Sequence, residues 1–254
     1  MKNMTTPRVL IYDIETSPII GYTWGIYQQD VIKVLEDWQI LTVAWKWLGE
    51  KKVFCIGQDD LPGYEPGVNN DKEIVKRIRA LFDEADIIIA HNGDSFDQKK
   101  CQARMITHGL KPPSPYKQLD TKKLFRKYGA FTSNRLGALA SQLGAHLKGD
   151  PGGIETWHGC LKGDPKAWAR MKRYNRHDIP PLEDLYKTIR PWVNNHPAMN
   201  LDTPNACPKC GGGPLRPRGW APTKTGKRQR YSCDSCGGWC QDRVLVKSHN
   251  IFVN

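Results

Sequence analysis

The chain has 254 residues, with 38 Lys and Arg against 26 Asp and Glu, for a formal charge of +12. That length allows one full domain with a sizeable core plus an appendage. No apolar run approaches the roughly 18 residues of a membrane-spanning helix, and no N-terminal signal pattern is evident. A soluble, intracellular (cytoplasmic) protein with no membrane partner is therefore expected. A basic chain that also keeps clustered acids suggests a polyanionic partner, most simply nucleic acid.

The first element is the apolar, β-branched stretch 9–16, Val-Leu-Ile-Tyr-Asp-Ile-Glu-Thr, which reads as a buried strand. Asp13 and Glu15 stand two apart and so share one face of it. Burying two like charges together is costly unless a cation neutralises them. The alternative is an edge strand with both acids in water. An aromatic-rich loop with Tyr22, Trp24 and Tyr27 spans 21–30. Strands are expected at 40–47 and 53–57, joined by a turn, and a Pro/Gly loop at 61–70. Asp71 caps a helix to about Phe82 with Ile74, Val75, Ile78 and Leu81 on one face. A buried strand at 86–90 ends at His91-Asn92-Gly93, and a helix follows over 95–108, stopped by Gly109.

A Pro-rich connector leads to a short strand at 116–120. Helices are expected at 121–128 and 134–143, with Asp120 as an N-cap. The Gly-rich stretch 148–163 reads as a functional loop. A long helix over 165–192 should be interrupted or kinked at Pro180-Pro181. The class is α/β with a mixed central sheet flanked by helices. Residues 1–193 form the main domain, 194–206 a linker rich in Asn and Pro, and 207–254 a separate module.

Asn92-Gly93-Asp94-Ser95-Phe96-Asp97 sits where a buried strand gives way to a helix, a usual place for site residues in open α/β sheets. Asp97 in a first helical turn could equally serve the helix dipole, and Asp94 could replace it if the register slips. Tyr174 and Asp178 stand at i and i+4 on one helix face; alone, such a pair reads as solvated surface. Together, Asp-x-Glu, Asn-x-x-x-Phe-Asp and Tyr-x-x-x-Asp resemble the three exonuclease motifs of the DEDD superfamily, in its DEDDy branch. The second motif, and the segments Leu119-Asp120-Thr121 and 134–144, are similar to the proofreading domains of family B DNA polymerases.

The resemblance covers about residues 7–193 and implies a ribonuclease H-like fold. It implies that Asp13, Glu15, Asp97 and Asp178 hold two Mg²⁺ or Mn²⁺ ions about 3.5–4 Å apart. Tyr174 would then orient the attacking water as a catalytic residue, and Thr16, Asn92 and Phe96 would touch substrate, although Phe96 also suits core packing. Arg173 stands five residues before Asp178, where the branch that uses a His would need one.

Cys55, Cys101 and Cys160 are scattered, whereas five of the eight Cys fall between 207 and 240. This is the pattern of a metal knot in a reducing compartment rather than of a disulfide framework. Cys207-x-x-Cys210 and Cys233-x-x-Cys236 are separated by 22 residues. Four thiolates from two tight turns make a closed structural Zn²⁺ site, and the segment resembles a zinc ribbon. Redox dithiols are the alternative, and Cys240 could replace Cys236. Between the turns, Arg216, Arg218, Lys227, Arg228 and Arg230 interleave with Trp220, a mixture suited to phosphate contact and base stacking. A solvated hairpin, or a surface for a protein partner, would look the same in sequence.

The expectation is a metal-dependent 3′–5′ exonuclease acting on nucleic acid, DNA before RNA, with a zinc ribbon that grips substrate. The competing readings are a structure-selective endonuclease or ribonuclease on the same fold, and a nucleic-acid-binding protein with a vestigial site.

Overall fold

The structure is a computed structural model and describes residues 6–27, 29–147, 149 and 152–247. It divides into two compact units, residues 8–185 and a second built from 186–247 with the described residues that precede 8. The division falls after Leu185, upstream of the compositional linker.

In chain order the larger unit carries β1 (Val9–Thr16), β2 (Ile20–Tyr22), β3 (Lys33–Glu36), β4 (Ile40–Trp47) and β5 (Phe54–Gly57). Then come α1 (Lys72–Glu84), β6 (Ile87–Ala90), α2 (Asp97–Thr107), β7 (Lys117–Asp120), α3 (Thr121–Tyr128), α4 (Leu136–Gln142), α5 (Ile154–Leu161) and α6 (Pro165–Ile189), whose last turn falls in the second unit. Five strands form one sheet in the order β5-β4-β1-β6-β7. β4 runs antiparallel to both β1 and β5, while β6 is parallel to both β1 and β7. The sheet is therefore mixed.

Alternation along β1 decides what each face meets. Leu10, Tyr12 and Ile14 point into a core with Val43, Trp45 and Ile88. The apolar stripe of α1, Ile74, Val75, Ile78, Leu81 and Phe82, closes that core together with Cys101 and Met105 of α2. Each such large side chain, fully buried, contributes about 1.5–3 kcal/mol. Asp13 and Glu15 have the opposite parity and face the other side, which α6 covers. There Glu183 ion-pairs with Lys46 of β4, and Leu41, Trp168, Met171 and Tyr174 form a second cluster.

Four local expectations change. The 21–30 stretch, of which Gln28 lies outside the described residues, begins in a hairpin strand, because β2 pairs with β3; Tyr22, Trp24 and Tyr27 are exposed. Asp71 sits at the N-cap of α1 but makes no cap bond with its side chain. Its fully buried carboxylate instead takes a bidentate ion pair from Arg104, a bond from His108 and the N–H of Ile40. A charge-assisted set of this kind is worth more than the single cap it replaces. The Gly-rich stretch contains α5, entered through Gly153 at φ 73°; Lys148, Asp150 and Pro151 of that stretch lie outside the described residues. Finally, α6 is not interrupted at Pro180 and Pro181 but continues through both as one helix. The carbonyls those prolines leave without a helical donor belong to Arg176 and His177, both exposed residues, so water can satisfy them.

In the smaller unit β8 (Leu215–Thr223) and β9 (Gly226–Cys233) form a long hairpin, and β10 (Trp239–Gln241) and β11 (Val246–Lys247) also pair with β9.

Candidate active site and metal centres

β1 pairs with β6 only over Val9–Ile87 to Ile11–Ile89. Beyond Ile11 the two parallel strands part, and Asp13 and Glu15 lie on the stretch that pairs with β4 alone, next to the β6–α2 turn. Asp178 arrives from α6. One carboxylate oxygen from each of Asp13, Glu15 and Asp178 lies within 4.8 Å of the others. Asp178 is 1% exposed, and the other two are half-buried. Among the described residues Asp97 lies outside that triad. It is 2% exposed, and its Oδ1 accepts the N–H of Ile14, the residue between the two acids of β1, at 3.3 Å.

The geometry sets a cost. Two unit charges 4.8 Å apart repel by about 3.5 kcal/mol at an effective dielectric of about 20. Three such pairs approach about 10 kcal/mol, the scale of a whole domain's stability. Hard divalent cations prefer oxygen donors and relieve this repulsion, so the donor set fits such an ion.

The turn that delivers Asp97 is held by Asp120. Its buried carboxylate accepts the N–H groups of Asn92 at 2.9 Å and of Asp94 and Lys123 at 3.3 Å. It is thus an N-cap, as expected, and also a clamp on Asn92, which sits in the left-handed region at φ 73°. Asp94 pairs with Lys123 at 2.6 Å, away from the triad, so no register slip places it there. Lys122 Nζ reaches Asn92 Oδ1 at 3.2 Å. Phe96, offered above as core packing, is 38% exposed at the N-cap of α2. Thr16 ends β1 half-buried. A cleft of about 460 Å³ opens beside Asp13, lined among others by His91, Lys122, Asn134, Arg135 and Leu136. Tyr174 is buried against Trp157, with ring centroids 6.3 Å apart, one helical turn before Asp178.

Two residues escaped sequence reasoning. Asn175 is fully buried and donates from Nδ2 to Asp13 Oδ2 at 2.6 Å. Thr42 Oγ1 donates in turn to Asn175 Oδ1 at 3.0 Å. The only sequence signal was that Asn175 precedes Asp178 by three on one helix face. The neighbouring Cys55 thiol is pushed up to about 12 by burial and stays protonated.

In the smaller unit Cys207, Cys210, Cys233 and Cys236 bring their sulfurs within 4.8 Å of one another. The Cys207–Cys236 and Cys210–Cys233 separations are both 3.8 Å. A tetrahedral zinc–thiolate site with bonds of about 2.3 Å has sulfur–sulfur edges of about 3.8 Å. The two turns match: Gly211 and Gly237 donate to the carbonyls of Cys207 and Cys233, at φ 75° and 72°, values that favour glycine. Gly212 and Gly238 direct N–H groups at the sulfurs of Cys210 and Cys236. Cys240 lies on β10 outside the group.

The hairpin's basic residues divide in two. Arg216 pairs with Asp234 at 2.8 Å, and Arg228 caps the carbonyls of Asp242 and Arg243. Arg218, Lys227, Arg230 and Trp220 are exposed, with Lys227 Nζ 4.5 Å above the Trp220 ring.

Comparisons with known proteins agree with this fold. The chain is 28% identical over 156 residues to a PolC-type DNA polymerase III from Ureaplasma parvum serovar 3, covering 56% of this chain and 10% of the polymerase. Its fold matches that of a family B DNA polymerase from the hyperthermophilic archaeon Pyrobaculum calidifontis, with a TM-score of 0.50 at 14% identity. That match covers 73% of this chain and 25% of the other. The RNase H superfamily model RNase_H_2 matches residues 49–190, which include Asp97 and Asp178 and leave β1 outside. With more than half its length so matched, this chain belongs to the RNase H superfamily.

Proposed function

We propose that the protein is a metal-dependent 3′–5′ exonuclease of the DEDDy type, hydrolysing phosphodiester bonds of DNA in preference to RNA. The observation that carries the reading is the convergence of Asp13, Glu15 and Asp178 at the C-terminal end of β1, with Asp97 buried beside the same strand. These four residues would hold Mg²⁺ or Mn²⁺. When bound, a pair of such ions lowers the pKa of an attacking water and stabilises the leaving 3′-oxygen. Tyr174 positions that water from the same helix as Asp178. Asn92, Thr16 and the exposed ring of Phe96 would contact substrate, while Lys122 and Arg135 of the cleft beside Asp13 would attract the phosphate chain. The preference for DNA rests on the two polymerase relatives. In the smaller unit the four thiolates would hold one structural Zn²⁺, and Arg218, Lys227, Arg230 and Trp220 would hold nucleic acid.

The test offers 5′-labelled single-stranded DNA, duplex DNA and RNA to the protein with Mg²⁺, Mn²⁺ or EDTA. A ladder shortening from the 3′-end of DNA, absent in EDTA, is expected. Cutting of a 3′-blocked strand would make the enzyme an endonuclease, and preferential cutting of RNA would make it a ribonuclease.

A further inference from the structure

We infer that Asn175 is a positioning residue for the carboxylate centre: it fixes the orientation of Asp13, and Thr42 fixes Asn175. This rests on the nuclease reading and assigns to that site a residue outside its four acids and its Tyr. Asn175 carries the only amide side chain that joins β1, β4 and α6 among the hydrogen bonds of the described residues. Its Nδ2 lies 2.6 Å from Asp13 Oδ2 and its Oδ1 lies 3.0 Å from the Thr42 hydroxyl. The chemistry allows one assignment of that amide. A carboxylate only accepts, so the NH₂ must face Asp13, and the carbonyl then receives the proton of Thr42.

Burial makes the arrangement strict. Asn175 and Thr42 are both fully buried, so neither side chain exchanges partners with water. Thr42 pairs directly with Glu15 in the antiparallel register of β4 and β1. The relay therefore ties Asp13 to the backbone that also sets Glu15. Asn175 stands three residues before Asp178, so the same turn of α6 delivers the third acid. One short network thus couples the relative positions of all three carboxylates. Partners of this kind, behind the ligands of a metal, typically change metal affinity or activity by about 10–100-fold when removed.

The experiment measures Mn²⁺ binding to the metal-free full chain without nucleic acid, by the loss of the free-ion electron paramagnetic resonance signal. Cleavage of DNA against Mn²⁺ concentration is followed in parallel. Asn175→Leu keeps the branched shape and removes the donor. The expected result is Mn²⁺ affinity weaker by about 10–100-fold, with cleavage recovering at high Mn²⁺. Thr42→Val, which keeps shape and loses only the hydroxyl, should shift affinity the same way by less, and Thr42→Ser should match the wild type. Because Thr42 acts through Asn175, Thr42→Val should add nothing in the Asn175→Leu background. If Asn175→Leu does not fold, the Thr42→Val and Thr42→Ser pair carries the comparison alone. A lower melting temperature with unchanged Mn²⁺ affinity would overturn the proposal and leave Asn175 a packing residue. A wild type that neither binds Mn²⁺ nor cleaves would overturn the nuclease reading itself, a separate outcome.

Discussion

Replacing Asp178 by Asn keeps the shape of a side chain that is 1% exposed and removes one of three charges lying within 4.8 Å. Two of the three pairwise repulsions vanish. At about 3.5 kcal/mol each, for an effective dielectric of about 20, the gross relief is about 7 kcal/mol. Weaker hydrogen bonds to the neutral amide offset this by about 1.5–3 kcal/mol apiece. With two such bonds weakened, a net gain of about 1–4 kcal/mol remains, which for a domain of this size raises Tm by about 2–4 °C per kcal/mol. The metal-free variant should therefore melt several degrees above the metal-free wild type. In Mg²⁺ the order should narrow or reverse, because only the wild type keeps its full set of oxygen ligands and gains binding energy. Cleavage by the variant should be abolished. Circular-dichroism melts in EDTA and in Mg²⁺, paired with a cleavage assay, read all three quantities. A metal-free variant that melts below the wild type, with a wild type indifferent to Mg²⁺, would refute the idea that this cluster is built around a cation.

Tyr174→Phe keeps the ring against Trp157 and removes the hydroxyl; turnover should fall on the order of 10²-fold with substrate affinity unchanged, and a loss confined to affinity would make Tyr174 a substrate contact. Cys207→Ser, or zinc chelation, should unfold the smaller unit, because its small core depends on the four-thiol centre; zinc content and proteolysis of the 207–247 segment report it, and a zinc-free but protease-resistant module would contradict the assignment. Arg218→Ala with Arg230→Ala should lower the slope of log affinity against log salt by about 1.4–1.8, at 0.7–0.9 per phosphate contact. Arg216→Ala should change that slope less, since Asp234 already holds its guanidinium. Binding titrations in Ca²⁺ at several salt concentrations would show either pattern.

What was legible in the sequence followed a period or a short spacing. The β-branched runs at 9–16 and 87–90 and the stripe of α1 are local signals, and they placed the sheet and its first covering helix. The errors arose where a distant partner outweighed local chemistry. Asp71 has the residue type and position of a cap, yet Arg104 and His108, 33 and 37 residues away, take its carboxylate. The proline pair of α6 has the chemistry of a break, but a helix clamped on the sheet by Glu183 and Lys46 continues through both missing donors. Residues 20–36 gave no alternation to mark a hairpin, since β2 and β3 lie largely exposed and their side chains lack the inside–outside contrast that reveals pairing.

The site divides in the same way, and the division has a physical basis. Acids two apart on a strand, or a Tyr and an Asp one helical turn apart, are fixed by backbone geometry alone, so their spacing survives in the sequence. Asn175 and Asp13 are 162 residues apart, and Ile14 and Asp97 are 83 apart. Neither pairing has a spacing rule. An amide near a helical acid reads as ordinary solvated surface, and only its complete burial distinguishes it. The residues that would meet the ion are therefore written in short motifs, whereas those that aim them are written in the packing of α6 on β1 and β4. Substitutions at Thr42 or Asn175 would leave every motif of the chain intact while loosening the geometry on which the motifs depend.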